Sequence, residues 1–276
     1  MTRPMLAAAL ALGLAAMALP SSAHDTSTPA ELTPLHPTPP GTAEATFATR
    51  DTDPAPTIEI VSPTEGQSMA AGQSVMLEVN LSEDGIVLRD KSYHVHVWVD
   101  DRPYAAMYDA TKPFEIKDLG EGSHSIRVAP SRPWHETFKN EGAYDAVNLT
   151  IGAADGFHTI DHSKPTLTYS RPKKNHVHTW AESRNLIFDW YLSGITLGQD
   201  GAYLRITVDG NSYLVTSWAP IFFENPPAGE HTVMLELLRN GELIDANYNP
   251  FTATFTIQPP DALADAKVAG DPHAGH

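Results

Sequence analysis

The chain of 276 residues carries 18 basic and 34 acidic side chains, a formal charge of −16, with 13 histidines and no cysteine. Its length is that of about two domains, and its acidity makes nucleic acid a poor partner. Without cysteine it has no disulfide, thiolate metal site or thiol nucleophile, and its 23 prolines favour strands, turns and linkers over helices.

In chain order, Arg3 precedes an apolar run from Met5 to Leu19 that closes on Pro20-Ser21-Ser22-Ala23. This reads as a secretory signal peptide over residues 1–23. The run is shorter than the ~20 residues that span a bilayer, and no later segment reads as transmembrane. The expectation is a secreted or periplasmic protein, cleaved near Ala23, whose mature chain starts at His24. An N-terminal histidine chelates copper through its amine and ring, but here it precedes a Pro/Thr-rich stretch, 24–56, with too little apolar surface to order itself. A second flexible tail is expected over 259–276, with His273 and His276 near its end.

Between these lie two copies of one unit, 57–153 and 164–258, at an offset of 109 residues. Leu77, Val79 and Leu81 fall on Leu186, Phe188 and Trp190; Val95, Val97, Val99 and Asp100 fall on Leu204, Ile206, Val208 and Asp209. After a two-residue shift, Gly122-Ser123-His124-Ser125-Ile126 falls on Gly229-Glu230-His231-Thr232-Val233. In both copies apolar residues alternate as in half-buried strands, separated by turn signals such as Asp84-Gly85, Asp209-Gly210 and Asn240-Gly241. About seven short strands per ~95 residues is the pattern of a β-sandwich, so the chain reads as all-β, with two tandem sandwiches. The run of Pro-Thr-Ile, Ser-Pro, Gly-Gln-Ser-Val and Leu-Gly-Glu-Gly-Ser-His-Ser-Ile in the first copy resembles bacterial immunoglobulin-like or fibronectin-III-like domains of exported proteins. That resemblance implies a binding or spacer module of the envelope without catalytic residues.

His94, His96 and Trp98 alternate with Val95, Val97 and Val99 on one strand. The valines match apolar positions in the second copy and take the core face, so the histidines point out of the sandwich. Same-face neighbours on a strand stand about 6–7 Å apart, within reach of one shared ion, and imidazoles without thiolates suit copper or zinc. The competing reading is a pair of polar residues on a solvent face, where the second copy has Tyr203 and Arg205. A loop, Ser131–Tyr144, has no counterpart in the second copy. It offers Trp134, His135, Glu136 and Tyr144 as a candidate ligand-contacting surface, with His135 also available as a third metal donor.

His158 and His162, with Asp155 and Asp161, lie in the connection between the copies, and His176 and His178 follow at the start of the second. Together they read either as a metal site or as a polar linker. His124 and His231 occupy equivalent positions after a glycine turn and read as turn-closing residues of the fold. His135-Glu136 does not extend to the His-Glu-x-x-His of zinc proteases, and no nucleophile elbow or phosphate loop is present. The sequence therefore reads as a non-enzyme. Its expected partner is an envelope protein, a glycan or a metal ion, the alternative function being a periplasmic copper or zinc protein using outward-facing histidines.

Overall fold

The computed structural model describes residues 55–82, 86–183, 185–218, 221–224 and 226–259. The signal peptide, His24, most of the 24–56 stretch, the Asp84-Gly85 turn and the tail beyond Pro259 lie outside the described residues.

Eight strands build the first sandwich: β1 (Ile58–Ser62), β2 (Gln67–Met69), β3 (Val75–Leu81), β4 (His94–Val99), β5 (Ala105–Met107), β6 (Phe114–Ile116), β7 (Gly122–Ser131) and β8 (Asp145–Ile151). One sheet has the order β1-β3-β6 and the other β2-β8-β7-β4-β5. The second sandwich contains β9 (Thr166–Arg171), β10 (Val177–His178), a helical turn α1 (Trp180–Ser183), β11 (Asn185–Ser193), β12 (Ala202–Val208), β13 (Asn211–Val215), β14 (Ile221–Glu224), β15 (Gly229–Arg239), β16 (Glu242–Leu243) and β17 (Phe251–Ile257). Its sheets, β14-β11-β9 and β10-β17-β15-β12-β13, repeat the first topology strand for strand, with β16 added beside β15.

The register repeats too. Val99 pairs with Ile126 and His94 with Ser131; Val208 pairs with Val233 and Tyr203 with Leu238. One sequence pattern therefore produces one pairing twice, because a slip of a single residue would turn every apolar side chain out of its core. Ile58, Ile60, Leu77, Val79, Val95, Val97, Ile126, Val128, Leu149 and Ile151 fill the first core. Leu167, Phe188, Trp190, Leu204, Ile206, Val233, Leu235, Phe255 and Ile257 fill the second.

The same turn recurs in both copies. Asp100 and Asp209 hold left-handed conformations, φ 54° and 48°. Their carboxylates accept from Ser125 N and Thr232 N at 3.0 and 2.9 Å, and pair with Nδ1 of His124 and His231 at 2.8 and 2.6 Å. The Nε2 atoms of those histidines reach the carbonyls of Gly120 and Pro227. Both imidazoles are saturated by the turn they close.

The strands at the seam between the sandwiches do not alternate. Every residue of β4 and of β7 is buried. Their inner faces fill the first core, and their outer faces pack on β9 and β11. Arg127 reaches Thr168 Oγ1 at 3.3 Å and lies over the Tyr248 ring at 4.0 Å. Tyr144 stacks on Tyr191 with centroids 4.6 Å apart, while Trp98, Tyr104, Ala129 and Tyr191 form an apolar cluster. Asp189 is fully buried and takes Lys139 Nζ at 2.6 Å and Thr137 Oγ1 at 2.9 Å across the same seam.

Candidate metal centre

The seam corrects the outward-facing expectation for His94 and His96. Val95, Val97 and Val99 do face the first core, and the histidines do project from the opposite side, but the second sandwich covers that side. His94 is 2 % exposed, His96 0 % and His135 9 %. The loop expected to display Trp134, His135, Glu136 and Tyr144 is likewise folded inward. Trp134 Nε1 donates to Glu136 Oε2 at 2.8 Å, Glu136 is buried beside Arg132, and Tyr144 stacks across the seam.

Three imidazoles converge there. Nε2 of His94 lies 3.0 Å from Nε2 of His96 and 3.0 Å from Nδ1 of His135. The strand spacing brings the first two together. The third arrives on a tight turn closed by His135 N to Arg132 O at 2.9 Å and Arg132 N to Glu136 O at 2.8 Å. At its apex His135 has φ 67°, a conformation that disfavours most side chains and that the turn imposes.

The tautomer of His94 follows from its other nitrogen. Nδ1 lies 2.8 Å from the Ser92 carbonyl, which only accepts, so Nδ1 carries a proton, and the neutral form of His94 would direct its Nε2 lone pair at the two neighbours. Nδ1 of His96 meets Ser170 Oγ at 3.2 Å, a hydrogen bond from the second sandwich that orients the ring with Nε2 toward the cluster. The His96 ring also stacks on Tyr104, centroids 3.7 Å apart. Burial, with the nearby His94, His135, Arg171 and Lys173, holds His96 well below the ordinary histidine pKa, so it is neutral and fit to coordinate. The charges of Arg171 and Lys173 oppose a metal cation as well, and coordinate bonds must outweigh them.

A second group, His176, His178 and Glu182, places one ligand atom from each residue within 4.8 Å of the others. Burial lowers His178 to about 2 and lowers His176 as well. His158 and His162 do not join either group among the described residues. His162 Nε2 lies 3.3 Å from Glu65, and His158 contributes its carbonyl to Tyr248. Asp155 ties the connection to the start of β7, accepting from Ser123 N as well as from Phe157 N, and Asp161 caps a local turn, accepting from Ser163 Oγ. The sequence reading missed Glu182, although Thr179-x-x-Glu182 directly after His176-Val177-His178 is a helix-capping signal that fixes a carboxylate near the histidines.

Residues 56–128 match the family model of the bacterial Ig domain. Tandem Ig-like sandwiches of one topology make up the described part of the chain, the bacterial Ig domain match covering most of the first. No curated protein matches the chain. Among solved structures, the fibronectin(III)-like modules of Clostridium thermocellum CbhA are 15 % identical with a TM-score of 0.27, over 73 % of this chain and 94 % of that one. Bacteroides ovatus SGBP-B, solved with a mixed-linkage heptasaccharide, is 12 % identical with a TM-score of 0.21, over 73 % of this chain and 70 % of that one. No helix among the described residues is long and apolar enough to cross a membrane.

Proposed function

We propose that this is an exported copper-binding protein that holds its ion on His94, His96 and His135, between two Ig-like sandwiches. The observation that carries the reading is the convergence of three buried ring nitrogens at two contacts of 3.0 Å. With metal–nitrogen bonds of about 2.0–2.1 Å, nitrogens 3.0 Å apart subtend about 95° at an ion, narrower than the tetrahedral angle of zinc. That suits neighbouring ligands in tetragonal copper(II). A chain with 34 acidic and 18 basic side chains draws cations toward itself at long range.

Burial argues for carriage or storage over catalysis, since His94 and His96 are closed off and only His135 approaches the surface. The signal-like N-terminus and the bacterial Ig match support a periplasmic or surface location. A second reading, a spacer or glycan- or protein-binding module of the envelope, is favoured by the bacterial Ig match alone. Calorimetric titration with Cu(II) separates the two. The copper reading expects one submicromolar equivalent that is lost in His94→Ala/His96→Ala and survives truncation after Pro260. Equal affinity in wild type and double variant would leave the spacer reading.

A further inference from the structure

We propose that His176, His178 and Glu182 form a second metal site, for a divalent zinc-type cation, on the β10–α1 corner of the second sandwich. It stands independently of the copper reading.

His178 is 0 % exposed, and neither of its ring nitrogens has a hydrogen-bond partner among the described residues. An imidazole buried this way is costly, because each polar atom has left water for nothing. The fold does not demand it. By the repeat, His176 and His178 correspond to Gln67 and Met69 on β2, where Gln67 serves a local turn through Thr64 N. The histidines are therefore an addition to the second copy, with a purpose outside the shared architecture.

The surroundings hold a ligand set in place. His176 O accepts from Thr256 N and His178 O from Gln258 N, each at 2.9 Å, so the backbone carrying both rings is tied to β17. The rings meet edge to face with centroids 4.6 Å apart. The chain then turns into α1, where Glu182 Oε2 accepts from Thr179 N at 2.7 Å and Thr179 Oγ1 at 3.0 Å. This capping interaction anchors one carboxylate oxygen and leaves the other for coordination. His176 and Glu182 are half-buried, which gives an ion a route to His178 behind them. Two imidazoles and one carboxylate are a zinc donor set, and an ion would occupy one of the two orphaned nitrogens of His178.

The test is zinc titration of the full chain in wild type, His176→Gln and Glu182→Gln, following stoichiometry and the ring 15N shifts of His178. Gln at 182 keeps an acceptor for Thr179, so the cap survives. Wild type is expected to bind a zinc equivalent that moves the His178 ring resonances. Each variant is expected to weaken that equivalent by about 100-fold or more while keeping the wild-type circular dichroism. Unchanged zinc binding in both variants, or His178 resonances that ignore zinc, would overturn the proposal.

Discussion

Substituting Lys139→Met tests whether the seam that builds the histidine cluster is as dry as the structure has it. Asp189 is 0 % exposed and receives Lys139 Nζ at 2.6 Å, Thr137 Oγ1 at 2.9 Å and Thr137 N at 3.2 Å. Lys139 also donates to Trp190 O at 2.7 Å. Removing the ammonium leaves a buried carboxylate with two neutral donors, and breaking one side of such a pair costs about 3–5 kcal/mol. For a folded body of this size about 1 kcal/mol shifts the midpoint by about 2–4 °C, so thermal unfolding followed by near-UV circular dichroism is expected about 10 °C lower. Lys139→Met/Asp189→Asn removes the stranded charge yet keeps an acceptor for Thr137, and is expected to recover more than half of the loss. Because Thr137 lies two residues from His135, copper affinity is expected to fall in the single variant and return in the double one. A single variant within about 1 °C of wild type would refute the reasoning, as would a double variant no more stable than the single.

Other outcomes follow from the same geometry. Burial pushes the Tyr144 hydroxyl up to about 12 from an unfolded value near 10. The stability this raised pKa provides is complete below pH 10 and is lost as pH rises toward 12. Between pH 9.5 and 11 wild type should lose about 1 kcal/mol more than Tyr144→Phe in urea midpoints, and parallel losses would contradict the buried phenol. Asp100→Ala should destabilise more than Asp209→Ala, since the Asp100 side chain is 4 % exposed and that of Asp209 43 %. Both variants should bind copper as wild type does; equal unfolding midpoints would argue against burial as the deciding difference.

Much of the architecture is legible in the alternation of Val75, Leu77 and Val79 and in the 109-residue repeat, because strand period and register follow directly from which side chains reach the core. The inward turn of Val95, Val97 and Val99 follows in the same way. What alternation does not reveal is the second sandwich lying on the other face. Thr168, Ser170 and Asp189 meet the first sandwich there, yet as polar residues they carry the pattern of a solvent face. The signal that both faces are covered is the loss of alternation, as in Ile187-Phe188-Asp189-Trp190-Tyr191-Leu192 on β11 and the aromatic Trp98 and Tyr104 opposite. His135 joins His94 through a turn forty residues away, a proximity that sequence spacing does not specify.

The central claim is an ion shared by His94, His96 and His135. Its most direct measurement is anomalous diffraction at the copper edge from crystals of the copper-loaded protein. The account predicts one peak at the seam, about 2.0–2.1 Å from His94 Nε2, His96 Nε2 and His135 Nδ1, with Nδ1 of His94 still on the Ser92 carbonyl. Copper bound elsewhere, with the three rings still in mutual contact and no density between them, would contradict it.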